Sequence, residues 1–173
     1  MKFKRYIAII FSSIVLICFF LGYLKGVPES EKVLKINDLQ NKDIYLIFFV
    51  NTVTIILLLV MSYVGLAIPF ILKQLFTIGV AAGESGISPL IYFPTSLIHG
   101  VFELIALFLI FYVSVNNIYI IYQIVQGKAD KQTYWKFNKI VLLRQLPIVI
   151  TLLFVASIFE VIISNELILN YFN

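Results

Sequence analysis

Residues 44–83 read IYLIFFVNTVTIILLLVMSYVGLAIPFILKQLFTIGVAAG, an unbroken apolar run of about 40 residues. One helical crossing of a bilayer takes about 20 residues at a rise of about 1.5 Å each. A run of twice that length has to fold back on itself. Gly65 permits a tight reversal and Pro69 removes a backbone donor. The break therefore belongs between Gly65 and Pro69, with spans of about 44 to 64 and 67 to 83 on either side. Backbone in hydrocarbon must satisfy its own hydrogen bonds, so both spans are expected to be helices.

The rest of the chain agrees with this hairpin. It is 61% hydrophobic and 13% charged over 173 residues, with a mean hydropathy of +1.02. Soluble globular domains carry roughly twice that share of charge. The same length argument places further spans at about 6–24, 95–115 and 140–164. We therefore expect an all-α, polytopic transmembrane bundle of about five spans, forming a single integral membrane domain over residues 1–173. The basic start MKFKRYIAIIFSS resembles a secretory signal, but the apolar stretch is too long and no small-x-small cleavage site precedes Gly26, so it is read as a retained span. Cys18 has no second cysteine to pair with and reads as a small apolar side chain.

Between the spans, residues 25–43 form a polar loop with room for a short surface helix. ESGISPLIYFPT, with Pro89 and Pro94, reads as an interfacial loop, and Asn116 and Asn117 as the exit of span four or the start of a protruding turn before a lengthened apolar helix. GKADKQTYWKFNK reads as a basic loop whose Tyr134 and Trp135 suit an interfacial anchor. Counting basic residues gives Lys2, Lys4, Arg5, Lys73, Lys128, Lys131, Lys136, Lys139 and Arg144 on one side, against Lys25, Lys32, Lys35 and Lys42 on the other. The positive-inside rule then predicts N-terminus in, C-terminus out. Arg144 and Lys73 are placed to snorkel toward phosphates. The net charge of +4 comes from these flanks, with no nucleic-acid motif beside it.

Against this background four polar side chains stand out. From the expected span ends, His99 lies roughly 6 Å, Glu103 roughly 12 Å, Asn51 roughly 10 Å and Glu160 roughly 6 Å inside the outer surface. His99 and Glu103 are four apart and share a helical face. Ionisable groups in hydrocarbon are costly unless they meet partners, so all four are expected to converge inside the bundle. Gly100, beside His99, would allow another helix to approach closely. Gly79 and Gly83 have the small-xxx-small spacing that lets helices touch in lipid. Three uses of the cluster remain open: interhelical hydrogen bonding, proton or substrate handling, and a metal site, the last disfavoured by the single histidine. No phosphate-binding loop is present, and every aspartate falls in a polar loop, so no catalytic triad, enzymatic activity or cofactor is expected. An ATP-driven step would need a separate ATPase chain.

Asn51 early in span two, the double span through GLAIPF and GVAAG, the helix IHGVFELIALFL and the closing span LFVASIFEVIISN occur in this order over about residues 44–166. Together they resemble the stage II sporulation protein M family of multi-pass membrane proteins, whose histidine-glycine-x-x-glutamate helix is similar to His99, Gly100 and Glu103, and whose closing small-x-x-x-glutamate span is similar to that of Glu160. The resemblance implies a non-enzymatic component of the cell membrane. Its namesake works with peptidoglycan-degrading partners during engulfment. Similar short proteins accompany circular bacteriocins and an ABC-type ATPase, where they serve maturation, export or self-protection. The expectation is thus a subunit of an export or envelope-assembly complex, with the lipid bilayer, a separate ATPase and a hydrophobic peptide as partners. A sporulation or cell-wall scaffold and a stand-alone proton-coupled transporter are the alternatives.

Overall fold

The computed structural model describes residues 2–27, 39–85, 89–164 and 166–167. Five helices in it are long and apolar enough to cross a membrane. They are α1 (Lys2–Gly26), α2 (Asp43–Ser62), α3 (Ala67–Glu84), α4 (Pro89–Val125) and α5 (Lys131–Ser164). Among the described residues there is no strand. Residues 28–38, with Lys32 and Lys35 and the proposed surface helix, lie outside the described residues, as do residues 86–88 of the ESGISPLIYFPT connector.

The expected reversal at Gly65 forms, and its hydrogen bonds explain its sharpness. Gly65 takes φ +80°, its N–H donates to Ser62 O, and the Leu66 N–H donates to Met61 O. This is a Schellman motif, which satisfies the last carbonyls of α2 and needs a residue with positive φ. Pro69 does not make the break. It sits in the first turn of α3, where the missing N–H has no intrahelical acceptor in any case. The same motif ends α4, with Gly127 at φ +70°, its N–H on Ile124 O and the Lys128 N–H on Gln123 O. Asp130 then caps α5, its carboxylate accepting the Thr133 N–H at 2.8 Å and the Thr133 hydroxyl at 2.7 Å.

Several expectations about α4 and α5 are corrected. α4 starts at Pro89, not near Thr95, and carries Pro94 within it. It runs on through Asn116 and Asn117 to Val125, so these asparagines mark no exit. Asn117 is fully buried, and so is Asn138 of α5 but for 2%. The two amides exchange hydrogen bonds at 3.0 and 3.2 Å, and Asn117 Nδ2 also donates to Ser62 O at the end of α2. A polar residue in an apolar run was readable, but its partner 21 positions on was not. The expected basic loop is mostly helix, because α5 begins at Lys131. Trp135 is exposed, whereas the Tyr134 hydroxyl donates to Tyr63 O at 2.9 Å and holds the α2–α3 turn against α5.

α5 is interrupted by two wide turns, Val141–Gln145 and Glu160–Ser164. At the first, the Leu146 N–H reaches back five residues to Val141 O. Pro147 follows at once. Having no N–H, and a ring that crowds the preceding turn, it is accommodated where the ladder has already slipped by a residue.

The helices associate in two ways. α4 and α5 pack together with α2 laid across both, around Ile55, Leu59, Leu107, Ile110, Val149 and Leu153. α1 packs mainly on α3. There Gly79 and Gly83 perform the expected close approach, and their partners are Gly22 and Gly26 of α1. A Cβ on Gly79 would lie 2.5 Å from Phe19 O, and one on Gly83 would lie 2.4 Å from Tyr23 O. In lipid, where burying apolar surface between helices gains little, such backbone contact is a main source of association. Phe11 ties this pair to the rest, with its ring centroid 5.4 Å from that of Phe108 and 5.3 Å from that of Phe111.

Candidate functional site

The four expected polar side chains come together, contributed by three helices. Asn51 of α2 donates from Nδ2 to Glu103 Oε1 of α4 at 2.7 Å. This bond fixes the carboxyl in the bundle interior. One turn toward the start of α4, His99 Nδ1 lies 2.9 Å from Ser164 Oγ of α5, and Ser164 Oγ donates to Thr95 O at 3.0 Å. A hydroxyl has one hydrogen, and a carbonyl can only accept it. Ser164 must therefore accept from His99, which puts the imidazole proton on Nδ1 and leaves Nε2 for whatever enters the site.

Glu160 is delivered by the second wide turn of α5. In a regular α-helix residues four apart diverge by about 40°. Glu160 opens that wide turn and Ser164 closes it, so the two share a face as His99 and Glu103 do. Phe159 and Phe102, each directly preceding a glutamate, stack at 5.5 Å with an interplanar angle of 9° and hold α4 against α5 beside the acids. The Glu103 and Glu160 side chains line the same two clefts.

Two cavities meet at this set. One, of about 340 Å³, runs between α1 and α3 on one side and α4 and α5 on the other, with Phe19, Ala81, Tyr92, Phe93 and Leu97 in its walls. The second, of about 460 Å³, lies between α2 and α3 and adds Leu46, Val50, Asn51 and Gln74. His99, Glu103, Glu160 and Ile78 belong to both linings. The polar side chains are thus a wall shared by two open clefts, the first largely apolar and the second joined by Asn51 and Gln74. Neither lining contains a lysine or an arginine.

Gly100 departs from expectation. A Cβ there would meet nothing within 4 Å, because the residue faces the first cavity and not a neighbouring helix. Sequence reasoning also missed Ser164, Gln74 and Tyr92. Ser164 stands four after Glu160 and was legible as a pattern, whereas Gln74 and Tyr92 join the site only through the way α3 and α4 cross. Among the described residues no group of three His, Cys, Asp or Glu is arranged to hold a metal ion. Comparison with protein-family models, curated proteins and solved structures returns no match.

Proposed function

We propose that this chain is a non-enzymatic subunit of an export or envelope-assembly complex in the cell membrane, N-terminus in and C-terminus out, that receives a hydrophobic peptide, in the manner of bacteriocin maturation or secretion. The observation that carries the reading is the shared wall of His99, Glu103 and Glu160 between two open clefts. Clefts of this size with a few fixed polar groups suit a ligand of drug size, or a few residues of an amphiphilic peptide. Ionisable side chains inside a membrane span mark substrate and ion paths in many membrane proteins. The resemblance to the stage II sporulation protein M family, carried by the His99 and Glu160 helices, supports the same class of role, with the ATPase on a separate chain.

The shared wall also favours a second reading, a stand-alone proton-coupled transporter, in which His99 and the two glutamates pass protons between clefts. One pair of measurements separates them. On the first reading, the tagged chain extracted in mild detergent brings an ATPase chain with it, and Gly100→Leu, which fills the first cleft, abolishes peptide export without dissolving the complex. Transport by the purified chain alone in vesicles, lost in Glu103→Gln, would replace the first reading with the second. Normal peptide export by Gly100→Leu would sink the first reading.

A further inference from the structure

A groove of about 400 Å³ on the outer side of α5 is lined by Lys136, Lys139, Ile140, Leu143 and Arg144. Its position follows from the order of residues along the helix. From Lys131 to Lys139 the side chains are largely polar, and from Ile140 onward they are largely apolar. The groove straddles that boundary, one turn beyond the exposed Trp135. Aromatic side chains of this kind sit at the level of lipid head groups.

Two features bring the stems of the three basic side chains to one groove, whose wall is apolar and leaves the charged ends at its rim. In an unbroken α-helix Arg144 would stand about 80° around from Lys136, at about 100° per residue over eight residues. The wide turn Val141–Gln145 accommodates one extra residue, which sets the face back by roughly one residue's rotation and carries Arg144 to the side of Lys136 and Leu143. Helical side chains also lean toward the helix N-terminus. For α5 that is the polar end, so Arg144 reaches out of the apolar zone toward Lys139. Ile140 and Leu143, 51% and 67% exposed, form the apolar floor between the charges. Asp130, at the start of the helix, is near enough to Lys136 for their charges to interact, and the lining itself holds no acid.

We propose that this groove is a binding site for an anionic phospholipid, with its phosphate on Arg144, Lys139 and Lys136 and an acyl chain along Ile140 and Leu143. The guanidinium can take two phosphate oxygens at once, and the lysines add charge. The complementarity is of head group to cations and of chain to floor, which a soluble anion would not use. The site is independent of the proposed export role.

The test titrates the purified chain in detergent with phosphatidylglycerol or phosphatidylcholine and counts retained lipid by native mass spectrometry. The expected result is preferential retention of one phosphatidylglycerol. Each cation near a membrane surface contributes a factor of about five. The double change Lys139→Gln with Arg144→Gln should therefore lower the preference about 25-fold. Lys128→Gln with Lys131→Gln removes the same charge outside the groove and should leave most of it. All four side chains are exposed, so folding is not at stake. Equal retention of the two lipids overturns the proposal. So does an equal loss in both double variants, which would reduce the effect to net charge. Retention of inorganic phosphate in place of the lipid overturns it as well.

Discussion

Replacing Gly22 by alanine tests how α1 is held. A methyl group there would sit 2.3 Å from Phe76 O, 2.9 Å from Val80 N and 3.0 Å from Gly79 Cα, all of them backbone atoms. No side chain can swing aside to make room. Ordinary contact starts near 3.4 Å, so the two helices must part locally by about 1 Å. A gap of that size forfeits up to about half of the dispersion well for each atom pair along the seam. Overpacking typically costs about 1–3 kcal/mol, and a clash with rigid backbone belongs at the upper end, near 3 kcal/mol. Alanine returns about 1 kcal/mol through its better helix propensity. The net expectation is a loss of about 2 kcal/mol. Gly100→Ala supplies the control, since it carries the same propensity gain of about 1 kcal/mol and its Cβ meets nothing within 4 Å. The two variants should differ by about 3 kcal/mol. The assay is unfolding of the purified chain in mixed micelles of rising dodecyl sulfate content, followed by Trp135 fluorescence. Identical midpoints for Gly22→Ala and Gly100→Ala would refute the reasoning.

Two other outcomes follow from the opposite end of the bundle. Asn138→Leu leaves the buried Asn117 Oδ1 without a donor, while Asn117 Nδ2 keeps Ser62 O, and should cost about 1–3 kcal/mol; the double change with Asn117→Leu should cost less than the sum of the singles by about 1 kcal/mol. A double-mutant cycle in the same micelles measures this, and additivity within about 0.3 kcal/mol would remove the amide pair from the account. At the start of α5, the Thr133 hydroxyl and then the Thr133 N–H hold the Asp130 carboxyl below its ordinary value of 3.8. The folded state therefore favours the anion, so the cap stabilises above the unfolded value and its contribution is lost as pH falls through the folded one. Asp130→Ala should lower the melting temperature at neutral pH, with the gap to wild type closing in acid. A gap that is constant down to about pH 3 would contradict this linkage.

The number of helices and the approximate ends of α1, α2 and α3 were legible because length and hydropathy are local properties, whereas the extensions of α4 and α5 beyond their apolar spans were not. Gly65 was legible for the same reason, since a reversal inside an apolar run needs a residue tolerant of positive φ. The convergence of Asn51, His99, Glu103 and Glu160 was legible from cost, because each needs a partner in lipid and depth alone brings them level. What escaped depends on which helix crosses which. Gly22 and Gly26 carry the same spacing as Gly79 and Gly83, but hydropathy does not say that α1 lies on α3. Asn117 reads as the end of a span until Asn138 is known to face it. The wide turns leave little mark in composition beyond Pro147 near the first.

The glycine seam also constrains how the molecule is made. α1 and α3 are not neighbours along the chain, since α2 is threaded between them and packs on α4 and α5 instead. During synthesis α1 enters the bilayer with its bared backbone at Gly22 and Gly26 turned toward lipid, and it keeps that face open until α3 arrives. Lateral docking of the first helix therefore has to wait for the third. A nascent chain stalled before residue 67 would carry an adhesive strip with nothing of its own to bind.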